Sequence, residues 1–482
     1  MKETLSRRGF MSAAAAGTGA ALFGRTVMGQ TATDRKADGR TAYPPVKIHR
    51  VYVGRQRAAW PKPAFKPEDE VPVFERKLAE LKARMGDVEL VGGELVQTAE
   101  EAAKLIPKLK EADGVLLIHL ALGVLPILQQ IVDAGRPTAF FSQPFSGHEW
   151  MFVQQWQNAG KKVALFATRD LNELADAVNI VAVPARMARS RLVVVGRPAG
   201  TPPAIVPERV KEKLGVEVIP VSVEEVIEAH KSVDPKLAEA EAEQIWIKQA
   251  RKIIEPTREE IIKSSKMFLA MKAILTANRA QAITINCLGG IPIDILGYPC
   301  LGFTRLLDMG LVGACEADMD SSLTMLIFTY AFGVPGFISD PLFDTSKNAV
   351  IHAHCTAPTR MDGPAGERAP FIIRTHTDDD KGAALEVEMR LGQVITCAKL
   401  VNLDTMIAST GKIIEIPDFD DRGCRTQITT EVANAAAMLA NWGAGLVDGW
   451  VPQLHRVVFY GDRLAGVRQL APLMGFKVIE GI

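Results

Sequence analysis

From Val46 onward, short apolar runs rich in β-formers alternate with stretches whose apolar residues recur at helical spacing. That alternation constrains the chain most, because β-then-α repetition buries its strands only in a parallel sheet covered by helices. The first unit reads as a strand at 46–53, a helix at 71–85, a strand at 114–120, a helix at 125–134, and strands at 138–141 and 162–166. A second unit of the same kind opens near Ser190, with strands at 191–196, 216–221 and 282–287. Asp234-Pro235 and the Thr257/Glu260 pair mark helix starts, the first as N-cap plus first-turn proline, the second as a capping box. Beyond Pro335 the texture changes to short strand candidates (371–376, 384–390, 393–400, 412–416) separated by Gly, Asp and Asn turns. They predict antiparallel sheet or barrel, followed by a helix at 431–440 and a closing β-α-β from 455 to 479. The expected architecture is α/β: two Rossmann-like doubly wound domains (46–187 and 188–332) and a β-rich C-terminal domain (333–482).

The first thirty residues stand apart. Arg7 and Arg8 precede a small-residue apolar run, Met11 to Gly24, and the string Ser6-Arg7-Arg8-Gly9-Phe10 has the form of a twin-arginine export signal. The run is shorter than the ~20 apolar residues that cross a bilayer, so a cleaved leader (1–30) and a polar linker (31–45) are expected rather than a stable membrane anchor. That predicts periplasmic or extracytoplasmic residence after export in the folded state by the twin-arginine machinery. Lys+Arg and Asp+Glu are equal at 56 each, which leaves no global field to favour nucleic acid or an anionic membrane. A small-molecule partner is expected. All six cysteines fall in the C-terminal half without a CxxC pair, and folding in a reducing compartment disfavours a disulfide framework.

The chemistry is written between Gly310 and Arg360. A small-residue strand, 311–315, ends in Glu316; a helix follows at 321–332, with Asp320 or Ser321 as N-cap; a second strand, 334–339, ends in Asp340. A right-handed crossover would set these strands parallel with both acids at their C-terminal ends, the edge where open α/β sheets bind ligands. Two converging carboxylates suit a hard divalent cation or a proton-transfer pair. Acids after strands also cap helices, and Asp318 and Asp320 read that way. His352-Ala353-His354 puts two imidazoles two apart on a strand, one expected in the core and one lining the site. Arg360 is a candidate sugar-hydroxyl contact or a turn residue. Spacing assigns nothing to His455.

The run Pro299-Cys300-Leu301-Gly302, Ala314-Cys315-Glu316-Ala317-Asp318, Ser339-Asp340-Pro341 and His352-Ala353-His354-Cys355, with the ending His455-Arg456-Val457-Val458-Phe459-Tyr460-Gly461-Asp462, resembles the core of the L-fucose isomerase and L-arabinose isomerase family. The resemblance implies a metal-dependent aldose–ketose isomerase working through an enediolate. It implies manganese held by Glu316, Asp340 and His455, with the two acids catalytic. It also implies a homo-oligomer, trimer or hexamer, and a loop carrying Gln143 and His148 that reaches a neighbour's site. His354 and Arg360 become substrate contacts. Two other readings stay open: a metal-dependent sugar epimerase or lyase, and a periplasmic sugar-binding protein without catalysis. The chain is shorter than typical fucose isomerases and carries a leader that such enzymes lack.

Overall fold

The computed structural model describes residues 46–57, 60, 62, 65–417, 422–442 and 455–481. The expected leader and linker lie outside the described residues. Among the described residues, no helix is long and apolar enough to cross a membrane.

The first sheet contains β1 (Val46–Val53), β2 (Val88–Val96), β3 (Gly114–His119), β4 (Thr138–Ser142) and β5 (Val163–Ala167), all parallel, in the order β2-β1-β3-β4-β5. β3 is buried along its whole length, as parallel strands covered on both faces must be. β2 escapes the sequence reading because Gly92 and Gly93 interrupt its pattern where the register with β1 shifts. Gly92 has φ +77, and a Cβ there would sit 2.2 Å from the His49 ring. The second sheet is built from β6 (Arg191–Val195), β7 (Glu217–Val221), β9 (Ala282–Ile285) and β10 (Val312–Ala314), parallel, in the order β10-β9-β6-β7. Between them in sequence, β8 (Lys252–Ile253) joins a small sheet with β13 (Phe371–His376) and β14 (Lys381–Val387).

The C-terminal part is β-rich. Strands β11 (Phe337–Asp344), β12 (Ala349–His354), β15 (Val394–Val401), β16 (Thr405–Glu415), β17 (Thr426–Glu431) and β18 (Arg456–Tyr460) pair antiparallel in the order β15-β18-β11-β12-β17-β16. A β15–β16 pairing closes them into a barrel, and closure removes the exposed edges an open sheet would leave. Strand β19 (Lys477–Glu480) adds to β16 in parallel. The protein is therefore α/β, with parallel-strand sheets and a β-rich C-terminal part containing a closed barrel.

One expectation is corrected. The two acid-bearing strands do not form a parallel crossover: β10 is the edge of the second sheet, whereas β11 is a barrel strand between β18 and β12. The reason lies in the helix between them, Met319–Phe332, buried along nearly its whole length. A helix with no solvent face cannot lie over one outer surface of a sheet. This one is packed between the helix Glu173–Ala188, the second sheet and the barrel, and it carries the chain out of one sheet into the other. Its Phe328 ring stacks on Phe459 of β18 at 3.9 Å between centroids. Ile48, Val312, Leu323, Leu400 and Phe459 belong to one continuous core.

Candidate metal centre

Where β10 ends, the chain reverses sharply. Glu316 and Ala317 take left-handed backbone conformations, φ +60 and +53, which non-glycine residues adopt only when their surroundings hold them. Here the neighbouring strands do the holding. Ala317 N donates to Ile285 O at 2.9 Å, Ala199 N donates to Ala317 O at 3.0 Å, and Met319 N donates to Ala199 O at 2.9 Å. The reversal throws the Glu316 carboxylate off the edge of the second sheet toward the rim of the barrel.

Three adjacent barrel strands supply the other groups. β11 carries Asp340 within the strand, paired with Ala353 of β12, so His354 follows immediately alongside. β11 pairs with β18 up to Ser339↔Arg456, and His455 lies one residue before that pair. His455 Nε2 is 3.5 Å from Glu316 Oε2 and 3.4 Å from Asp340 Oδ1, and His354 Nε2 is 3.6 Å from Glu316 Oε1. The imidazoles are buried, at 3% and 5% side-chain exposure, while Glu316 and Asp340 are 30% and 28% exposed. The two rings meet edge-on, 5.2 Å between centroids.

The fit to a divalent cation rests on this donor set. One ligand atom each of Asp340, His354 and His455 lie within 4.8 Å of one another, as do those of Cys315, Glu316 and His354. Separations of 3.4–3.6 Å are long for direct charge-assisted hydrogen bonds and suit ligands arranged around a common centre about 2.0–2.2 Å from each. His455 Nδ1 is engaged by Asp318 Oδ2 at 3.1 Å, leaving Nε2 to face the acids. Burial alone would raise the Glu316 carboxyl, but the His354 imidazole beside it holds it below its usual range. Burial pulls the His354 imidazole down, yet Glu316, Cys355 and Asp340 bring it up to about 9.

The remaining expected residues distribute unevenly. His352 is the core histidine: its ring meets Ser339 Oγ at 3.0 Å and Thr430 Oγ1 at 3.2 Å, and burial pushes it down to about 3, so it stays neutral. Arg360 is spent on a turn, its guanidinium donating to Gly366 O and its N–H to Asp308 Oδ1. Gln143 and His148 stay with the first sheet, where His148 packs on Trp60 at 5.8 Å between centroids. Among the described residues, no contact joins either to Glu316. The N-cap of the long buried helix is Asp318, not Asp320 or Ser321; it accepts from Ser321 N at 3.0 Å. Asp320 turns away to take Thr201 N at 2.6 Å and Thr201 Oγ1 at 2.7 Å.

Two features went unread in the sequence. Lys399 is fully buried and donates to Asp318 Oδ2 at 2.9 Å; a lysine inside the apolar run Val394–Val401 was the available signal. Cys287 and Cys315 place their sulfurs 3.4 Å apart directly beneath Glu316, a pairing no spacing reveals. All six cysteines are free thiols.

A parallel-sheet edge and a barrel rim thus present two acids and two imidazoles to one another, and the comparisons with known proteins point to isomerases. No protein-family model matches the chain. It is 23% identical over 203 residues to a sulfoquinovose isomerase of Clostridium sp. (strain MSTE9), covering 41% of this chain and 43% of that protein. Sulfoquinovose isomerases of Priestia aryabhattai and Priestia megaterium are 24% identical over 160 residues, 32% of this chain and 35% of theirs. The chain thus matches less than half the length of these relatives, and the likeness supports a sugar isomerase at the coarse level.

Proposed function

We propose that this protein is a metal-dependent aldose–ketose isomerase acting on an open-chain monosaccharide through an enediolate. The observation that carries the reading is a pair of overlapping donor groups from two different sheets, Asp340 with His354 and His455, and Glu316 with His354 and Cys315, with His455 Nε2 also 3.5 Å from Glu316 Oε2. Glu316, Asp340 and His455 hold the cation, manganese by resemblance to the L-fucose and L-arabinose isomerases, and His354 is placed to join them or to orient a sugar hydroxyl. When bound, the cation supplies Lewis-acid polarisation of the sugar's carbonyl and adjacent hydroxyl oxygens.

The protein's own groups do the rest. One of the two carboxylates, Glu316 or Asp340, takes the proton from the carbon beside the carbonyl and returns it to the former carbonyl carbon, while the proton of the adjacent hydroxyl passes to the former carbonyl oxygen. Both reach solvent on one side, which lets that proton exchange. Positioned acid–base help contributes about 10²–10⁴-fold. A carboxylate held below its usual range, as Glu316 is, is a weak base, so most of the acceleration must come from charge stabilisation in the site.

Sulfoquinovose, named in the relatives, is the first substrate to test, alongside neutral aldoses. Incubation in D₂O followed by NMR separates the possibilities: a ketose product carrying solvent deuterium at C1 supports isomerisation, whereas epimer or unsaturated product moves the enzyme to another reaction. Saturable sugar binding that survives EDTA without turnover sinks the catalytic reading altogether.

Export and assembly belong to the same proposal. Folding before twin-arginine export would load manganese in the cytoplasm, away from Cu²⁺ and Zn²⁺ that bind N/O sites more tightly; zinc or copper as native metal in periplasmic protein would refute this. The loop bearing Gln143 and His148 exposes Phe145 (62%), Trp150 and Met151, apolar surface suited to a second copy. Sedimentation distinguishes a trimer or hexamer from a monomer.

A further inference from the structure

The Asp318 carboxylate lies at the centre of a closed set of donors. Oδ2 accepts from Lys399 Nζ at 2.9 Å, from Ser321 Oγ at 2.6 Å and faces His455 Nδ1 at 3.1 Å; Oδ1 accepts from Ser321 N at 3.0 Å. Asp318 and Lys399 side chains are fully buried, at 0% each. A carboxylate so surrounded can only accept, so each of its partners, the imidazole included, must donate to it. Facing an acceptor, His455 must carry its proton on Nδ1, and Nε2 then presents a lone pair toward Glu316 and Asp340. Neutral imidazole has one donor and one acceptor nitrogen, and the partner of one decides the role of the other.

We propose that Asp318, gripped by Lys399 and Ser321, is the positioning residue that sets the His455 tautomer and ring angle, making Nε2 a ligand rather than a donor. This rests on the reading of the Glu316 group as a metal centre. Asp318 serves twice. As N-cap of the buried helix Met319–Phe332 it is anchored to the scaffold, and it passes that rigidity to a ring at the entry to β18, far away in sequence. Lys399 supplies the counter-charge that lets a carboxylate stand in a dry interior, and a cation–carboxylate–imidazole chain of this kind keeps a metal-binding histidine oriented.

Asp318→Asn tests it with little change of shape. The amide oxygen keeps the Ser321 N–H, so the NH₂ falls where Oδ2 was and donates to His455 Nδ1, forcing the ring proton onto Nε2. Because that change also strands the Lys399 charge, the double variant Asp318→Asn/Lys399→Met serves as the folded comparison. The chain has only 8 histidines, so ¹⁵N-histidine NMR of metal-free protein at alkaline pH can assign the tautomer directly. Wild type is expected to show Nδ1–H at His455, and both variants Nε2–H. Mn²⁺ affinity, titrated calorimetrically, is expected to fall about 10–100-fold in both. An Nε2–H wild type, or a tautomer indifferent to Asp318→Asn, overturns the proposal. So does full recovery of affinity in the double variant, which would make Asp318 a purely structural residue. A tautomer that switches as expected in a protein that binds no Mn²⁺ at all upholds the role of Asp318 and fails the metal reading instead.

Discussion

Among the described residues, the acid–histidine cluster at the ends of β3 and β4 is closed, whereas the one at the end of β10 is open. At the ends of β3 and β4, the His119 ring contacts Ser142 Oγ at 3.0 Å, Ala121 O at 2.9 Å and Glu149 Oε2 at 3.2 Å, with side-chain exposures of 0% for His119 and 4% for Glu149. Glu149 Oε1 takes the backbone N–H groups of Gly123 and Val124, at 2.6 and 3.2 Å, at the entry to the helix Leu125–Asp133. The groups there face one another rather than solvent, although Glu149 Oε2 has the ion pair to His119 and no hydrogen-bond partner among the described residues, and they clasp the loop that follows β4. At the end of β10 similar chemistry is arranged with gaps: the acids are partly exposed and the imidazole and carboxylate atoms stand 3.4–3.6 Å apart. Residue type alone does not distinguish a clasp from a site; spacing and exposure do.

The comparison is broken most severely at the open cluster. Glu316→Gln or Asp340→Asn should lower kcat by about 10²–10⁴-fold and weaken Mn²⁺ binding, while the fold, followed by circular dichroism, stays intact. Turnover within tenfold of wild type would remove both acids from the chemistry. Stripping divalent cations with EDTA comes next: at free metal about 100 times Kd the bound ion stabilises by about 2.7 kcal/mol, so the thermal midpoint should drop on chelation and return with Mn²⁺. A smaller effect is expected at the closed cluster, where Glu149→Ala leaves two backbone N–H groups unpaired and should cost about 1–3 kcal/mol, with Mn²⁺ affinity unchanged.

That last variant also carries a pH signature. Burial would raise the Glu149 carboxyl, but His119 and the Gly123 and Val124 N–H groups bring it from its ordinary 4.5 down to about 2. A depressed folded-state value stabilises above the ordinary value and is lost as pH falls through the folded one. The stability difference between wild type and Glu149→Ala should therefore be full at neutral pH and shrink between 4.5 and about 2; a constant gap in acid titrations monitored by fluorescence would contradict the clasp. The smallest change is expected at Cys315→Ser, beneath the open cluster, where loss of the contact with Cys287 should cost less than about 1 kcal/mol and leave Mn²⁺ affinity within a few-fold.

Much of the scaffold was legible because it depends on local pattern. β1 spans the predicted 46–53 stretch, the Thr257 capping box forms with Glu260, and the closing β-α-β from β18 to β19 follows the 455–479 expectation. β17 and β2 were missed for one reason: Thr-rich and Gly-interrupted strands lack the alternating apolar signal that marks the others. The candidate site was legible in part. Its acids were visible as strand-end carboxylates, but His455 has no local signal, Asp318 looked like a simple cap, and Asp340 was placed at the end of a parallel strand when it lies inside an antiparallel one.

The amino-acid order determined by itself which segments could be strands and helices, since period and capping chemistry act over a few neighbouring residues. Which acids face which imidazoles was decided only when a helix without a solvent face was forced between a parallel sheet and a closing barrel. Burial of that helix brings residues 137 positions apart, Asp318 and His455, to 3.1 Å. No local preference encodes such a distance; it follows from packing the whole core.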